Sequence, residues 1–278
     1  MAPIAKPSFS PQSVPIALTV AGSDSGAGAG IQADLKTFAA LGVYGCSAIT
    51  SLTAQNTCGV QGVFPVAADF VAAQMHSVLS DMPVAVIKTG MLANAEVIQA
   101  LVSTYDSAYP LPLVVDPVML ATSGDRLLEE AAVEVLIHEL LPRATLITPN
   151  LLEAAALLGE SPAQNQQQRA RQAERLLALG PQAVLLKGGH DQGPEADDLL
   201  LSDAGLDHFS RPRVNTRNTH GTGCTLAAAI AAGLAKGLAL PLAVEEAKDY
   251  LQGALLAGAQ RSLGSGASPV DHFYRNAL

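Results

Sequence analysis

The chain has 278 residues, 49% of them hydrophobic and only 4% aromatic, and its formal charge at pH 7 is −9. That length suits one large α/β domain with a full core. The acidic balance argues against nucleic acid or an anionic membrane as partner, while leaving room for a phosphorylated small molecule held by a local nest of amides and one or two lysines.

Residues 1–15 carry Pro3, Pro7, Pro11 and Pro15 and no continuous apolar core, so they are expected to form a flexible tail rather than a signal peptide, ahead of a single domain over 16–278. The apolar run 16–22 closes on Gly22 and reads as a buried first strand. A glycine-rich loop over 23–30 then feeds a helical pattern with Ile31, Leu35, Phe38 and Leu41 on one face and Gly42 at its end. Strands are expected at 46–50, 84–88, 113–116, 145–148 and 183–187, with helices at 70–79, 95–103, 129–141 and 166–179. After Lys187 the rhythm changes: 198–201 and 208–209 read as short antiparallel strands, followed by a helix from Cys224 and a last helix over 242–261. The apolar window 221–243 is long enough to be mistaken for a membrane span, but Lys236 and Pro241 make it a buried helix followed by a turn. Strands alternating with helices predict an α/β fold, a mostly parallel central sheet with helices on both faces, whose ligands bind at the carboxyl ends of the strands.

Polar and glycine-rich residues fall at those ends: Gly22 and Asp24, Gln55 and Asn56, Gly90-Met91, Asp116-Pro117-Val118-Met119, Thr148-Pro149-Asn150, and Lys187-Gly188-Gly189-His190. The loop Gly26-Ala27-Gly28-Ala29-Gly30 lacks dinucleotide spacing, because Ile31 stands where the third glycine would be, and no P-loop motif occurs. A phosphate is better placed at His220-Gly221-Thr222-Gly223-Cys224-Thr225, where Gly221 and Gly223 free the backbone before an Ala-rich helix and the amides form an anion hole. The thiol of Cys224, at a helix start, is expected to have a lowered pKa.

Asp116 and Glu153 offer the carboxylates that Mg2+ favours beside a nucleotide, although Asn150-Leu151-Leu152-Glu153 also has capping-box spacing. Lys187, at the end of an apolar strand, is read as a phosphate contact; Lys248 has weaker support from spacing, and His190 and His220 receive no role. Cys46, Cys58 and Cys224 have neither the count nor the pairing of a disulfide framework or a zinc site, which points to a reducing, cytoplasmic setting.

Taken together, the blocks 21–34, 53–57, 89–91, 116–119, 148–150, 187–190 and 220–225 resemble the hydroxymethylpyrimidine/phosphomethylpyrimidine kinase family of thiamine biosynthesis, which has the ribokinase-like fold. One departure is Ala27, where the family's first loop usually has the middle of three glycines. The resemblance implies transfer of the ATP γ-phosphate to 4-amino-5-hydroxymethyl-2-methylpyrimidine and then to its monophosphate. It places Gln55 on the pyrimidine, with Gly22, Asp34, Met91 and Val118 lining that site. Asp116, Glu153 and Lys187 would serve MgATP, with Asn150, Thr222 and Lys248 on the nucleotide or its phosphates, and Cys224 would stand where related enzymes keep an aspartate base. It also implies a homodimer and raises a flap over 53–64 as a question. The competing readings are a pyridoxal kinase of the same fold, a vitamin-precursor binding protein without turnover, and a thiol-nucleophile enzyme built on Cys224.

Overall fold

The computed structural model describes residues 14–108, 110–119, 127–189 and 193–276. Most of the expected tail, and His190, therefore lie outside the described residues. The strands are β1 (Ile16–Asp24), β2 (Tyr44–Asn56), β3 (Gly59–Pro65), β4 (Val86–Thr89), β5 (Leu113–Val115), β6 (Leu146–Ile147), β7 (Ala183–Leu186), β8 (Glu195–Ser202) and β9 (Gly205–Pro212). They form one sheet in the order β3-β2-β1-β4-β5-β6-β7-β8-β9. The six strands from β2 to β7 in that order run parallel, while β3, β8 and β9 close the edges antiparallel.

The helices are α1 (Gly30–Ala40), α2 (Ala68–Asp81), α3 (Ala95–Ser107), α4 (Glu130–Val135), α5 (Leu151–Leu158), α6 (Gln166–Leu177), α7 (Thr222–Ala235) and α8 (Leu240–Gly258). Side chains alternate across a strand, so each central strand feeds two cores. Leu18, Val20, Ile87, Leu113, Val115 and Ile147 pack with α2, α3, α5 and α6, whereas Ala17, Val86, Val114, Leu146 and Leu185 pack with α1, α7 and α8. Small alanines over 227–232 bring α7 close to the sheet.

Several expectations change. Residues 59–65 form β3, an exposed strand hairpinned on β2, where the sequence suggested only an irregular flap segment. Its glycines and exposed side chains carry no clear alternation, so only pairing with β2 defines it. The eight-residue α5 was visible solely as a capping box, which is present: Asn150 Oδ1 accepts from the amides of Leu152 and Glu153, both at 2.9 Å, and Glu153 Oε2 accepts from the Asn150 amide at 2.8 Å. The helix expected over 129–141 loosens into a π turn at Leu136–Leu140 and a 3-10 turn at Leu141–Arg143, because Pro142 has no amide to continue the ladder. Pro241 lies in the first turn of α8, a position proline tolerates, so the helix begins earlier than expected. No helix among the described residues is long and apolar enough to cross a membrane.

Candidate active site

The period of two that sorts the cores also builds the site. Two residues beyond Ala17, Val86, Val114, Leu146 and Leu185, on the same sheet face, stand Thr19, Lys88, Asp116, Thr148 and Lys187. They form two similar triplets. On one side Thr19 Oγ1 donates to Asp34 Oδ2 at 2.6 Å and Lys88 Nζ lies 3.0 and 2.9 Å from the two Asp34 oxygens. On the other, Thr148 Oγ1 donates to Asp116 Oδ1 at 3.0 Å and Lys187 Nζ lies 2.9 Å from the same oxygen.

The start of α7 meets the second triplet. Gly221 is its N-cap with φ 79°, and a Cβ there would come 1.8 Å from the Gly28 carbonyl oxygen, so only glycine fits. A Cβ on Gly223 would lie 3.3 Å from Lys187 Nζ and 3.8 Å from Asp116 Oδ2, which measures how closely the bare helix end approaches both charges. The Thr222 amide donates to Thr219 O, and Thr225 N and Oγ1 both donate to Gly221 O. The amides of Gly221, Gly223 and Cys224 meet no acceptor among the described residues. Three unengaged amides, a helix N-terminus and a lysine ammonium converge on one volume, which is an anion site by construction.

The charges respond accordingly. Burial pushes the Asp116 carboxyl up, but Lys187 and Lys88 outweigh it and hold the group below its ordinary value. Burial works against the Lys187 ammonium, yet Asp116 and Glu153 push it up to about 12. Glu153, 4.0 Å from Lys187, is buried enough to be pushed up to about 7 even though Lys187 pulls it down. Its carboxylate caps α5 and faces Lys187 at once, so the two roles expected for it coexist. Cys224 corrects an expectation: burial pushes its thiol up to about 11, with Lys88 and the Gly30 amide lowering it only in part against Asp34 and Asp116. The helix N-terminus does not make this a low-pKa cysteine, because loss of solvent costs the thiolate more.

On the acceptor side, Gly22 abuts Met91 so closely that a Cβ would sit 3.0 Å from the methionine sulfur. Val118 is half-buried beside Asp116 and, with Gly90 and Leu92, lines a narrow cleft. Gln55 is pinned by its backbone: its amide donates to Ser25 Oγ and its carbonyl accepts from the same hydroxyl, both at 2.8 Å, while its side-chain oxygen accepts from Thr53 Oγ1. Asp34 is corrected from a lining position, since it is fully buried and saturated by Thr19 and Lys88. Lys248 is corrected too: its ammonium donates to Ala196 O at 2.9 Å and Asp198 Oδ2 at 2.8 Å, and Asp198 Oδ1 accepts from the Gly188 amide. It holds the loop after Lys187 rather than reaching the helix end.

Sequence reasoning missed Lys88 and the partnership of Asp24 with His220. Asp24 accepts from the amides of Gly26, Gly28 and Ala29 at 2.7, 3.0 and 2.8 Å and from His220 Nε2 at 2.8 Å. Burial opposes this charge, but the His220 ring and the loop amides hold the carboxyl below its ordinary value. The glycine loop thus spends its amides on its own aspartate, which leaves phosphate to α7. For Lys88 the available signal was a charged residue inside an otherwise apolar strand. A cavity of about 320 Å³ beside Leu41, Gly233, Lys236 and Arg275 lies at the far end of α7 and takes no part in this arrangement.

Residues 24–271 match the family model described as phosphomethylpyrimidine kinase. The chain belongs to that family. It is 54% identical over 260 residues to the hydroxymethylpyrimidine/phosphomethylpyrimidine kinase of Rhizobium meliloti, covering 94% of this chain and 97% of that one. The enzyme of the same description from Salmonella typhimurium is 51% identical over 258 residues, covering 93% and 97%. Among solved structures, an ADP complex of Bacillus subtilis pyridoxal kinase superposes with a TM-score of 0.87 at 34% identity, covering 96% of this chain and 100% of that one. The fold is accordingly ribokinase-like, and the nine-stranded sheet with its antiparallel edges is this family member's version of it.

Proposed function

We propose that this protein is a kinase of thiamine biosynthesis that uses ATP to phosphorylate 4-amino-5-hydroxymethyl-2-methylpyrimidine and then its monophosphate. The observation that carries the reading is the convergence of Lys187, Asp116 and the unengaged amides of Gly221, Gly223 and Cys224 at the start of α7, in a chain of the phosphomethylpyrimidine kinase family. In the first step the acceptor oxygen bonds to the γ-phosphorus, the bond to the bridging oxygen breaks, and ADP leaves. The hydroxyl proton passes to the Cys224 sulfur in its thiolate form. Because phosphoryl transfer has a loose transition state, alignment and charge neutralisation dominate, and a scarce thiolate suffices. The amides of α7 and Lys187 hold the charge on the transferring group, each well-aimed donor contributing about 3 kcal/mol in comparable holes. In the second step the acceptor is already an anionic phosphate, and Cys224 has no proton to take.

Gln55, Gly22, Met91 and Val118 form the pyrimidine side of this reading. Lys187 and Thr222 serve the phosphates, Asn150 the nucleotide side, and Lys248 supports the loop that carries Lys187 and Gly188. Asp116 and Glu153 fit Mg2+: two carboxylates face one lysine, a set that leaves most of an octahedral shell to phosphate and water, and no cluster of three or more His, Cys, Asp or Glu is needed or found among the described residues. When bound, Mg2+ would neutralise phosphate charge.

The exposed Leu52, Val63, Phe64 and Phe70 of the β2–β3 edge and the start of α2 support a homodimer. Three free cysteines support a cytoplasmic setting. A pyridoxal kinase reading is favoured by the Bacillus subtilis structure, and greater identity to the pyrimidine kinases places it second. Incubation with MgATP and either ring, with products identified by mass spectrometry, tests both. Formation of the pyrimidine mono- and diphosphates is expected; turnover of pyridoxal alone would replace the first reading with the second.

A further inference from the structure

The reaction as proposed employs Lys187 and leaves Lys88 without a task. Lys88 has no exposed surface, and its ammonium is held by both Asp34 oxygens, which Thr19 also steadies. Such a pair is weak evidence of a purely stabilising role, since desolvation offsets much of the attraction. Two features connect it with the thiol. Asp34 stands one helical turn beyond Gly30, whose amide hydrogen-bonds the Cys224 sulfur, so α1 turns an amide and a carboxylate toward the start of α7 from one face. The sheet period puts Lys88 on that face as well, and Gly90 leaves it room, because a Cβ there would sit 3.1 Å from the ammonium. The groups that face Cys224 are Lys88 from β4, Asp34 and the Gly30 amide from α1, Asp116 after β5 and Lys187 after β7. Of these charges Lys88 acts most strongly on the sulfur, and Asp34 opposes it.

We propose that Lys88 is a positioning residue for the first phosphorylation: its buried ammonium, aimed by Asp34 and Thr19, is the counter-charge for the thiolate with which Cys224 takes up the acceptor's proton. The inference rests on the proton-acceptor reading of Cys224. As the acceptor oxygen bonds to phosphorus, the hydroxyl proton moves to sulfur, the resulting thiol is neutral, and its proton is released to solvent before the next turnover. Lys88 keeps its protons throughout and touches no substrate.

The test is the pH dependence of iodoacetamide alkylation at Cys224 in the full chain, followed by peptide mass spectrometry with the Cys46 and Cys58 peptides as internal controls. Lys88→Met removes the cation and should move the Cys224 profile to higher pH. Asp34→Asn removes the carboxylate that balances the cation and should move it to lower pH. Each unit of displacement changes the alkylation rate on the rising limb about tenfold. A purely structural pair would shift both variants in the same direction or leave the profile in place, and either result overturns the proposal. If Lys88→Met does not fold, Lys88→Gln keeps a donor to Asp34 without charge and must give the same upward displacement. The first-step pH–rate profile of the Lys88 variant should follow the thiol while the second-step profile stays put. Undiminished first-step turnover in Cys224→Ala would remove the proton-acceptor reading while the alkylation result stood, so the two failures are distinguishable.

Discussion

At the scale of single residues, Cys224 separates the two phosphorylations. A thiol pushed up to about 11 is almost wholly protonated at neutral pH, so it can assist only a step that needs a proton taken away. Cys224→Ala should therefore slow the first phosphorylation by about 10²-fold and the second by less than about threefold, in separate single-turnover assays; equal losses would assign the residue to shape alone. Ala27 has φ 60°, a left-handed conformation that costs a residue with a Cβ about 1–2 kcal/mol. Ala27→Gly should stabilise the fold by about 0.5–1 kcal/mol after the greater freedom of the unfolded chain is subtracted, measured as a higher urea midpoint. Glu153 gives a pH signature. Its carboxyl moves from 4.5 to about 7 on folding, so the native chain keeps a proton that the unfolded chain releases. That stabilisation is complete below 4.5 and is lost as pH rises through about 7. Asp24 and Asp116, held below 3.8, act in the opposite sense and only at more acid pH. Glu153→Gln keeps the capping geometry and should flatten the stability profile between these two values; a mutant curve parallel to the parent's would contradict the assignment.

At the scale of elements, the β2–β3 hairpin is tied to the loop after α8. A Cβ on Gly266 would come 1.8 Å from Thr57 O, and one on Gly264 would come 2.3 Å from Thr57 Oγ1. The same loop is fastened to the segment before α7, where Asn218 donates to Gly258 O and Arg261 O and accepts from the Ser268 amide. Gly266→Ala must push the hairpin tip away from this loop. Because Gln55 lies on the hairpin, KM for the pyrimidine should rise at least about fivefold while KM for ATP changes less than about twofold. Steady-state kinetics with each substrate varied in turn would show it, and parallel rises in both constants would place the loop's influence elsewhere.

At the scale of the molecule, the parallel core of the sheet was readable because buried strands and amphipathic helices leave periods of 2 and 3.6 in the chain. β3 was not, since Gly59, Gly62 and exposed Val63 and Phe64 become a strand only by pairing with β2. Asp116, Lys187 and the 221–224 turn were legible as strand-end and helix-start residues, where an α/β sheet keeps its ligands. What local patterning could not supply was partnership across the fold. Asp34 and Lys248 look like exposed site residues in the sequence, yet each is committed to a buried ion pair, with Lys88 and Asp198 respectively. By itself, then, the sequence determined the fold class, the family and the location of the phosphate turn, because these follow from local periodicity and short contiguous motifs. Only the tertiary structure decided which charges meet, and with them the state of the Cys224 thiol, because Coulomb interaction and desolvation depend on distance and burial, which residues far apart in the chain acquire only when it folds.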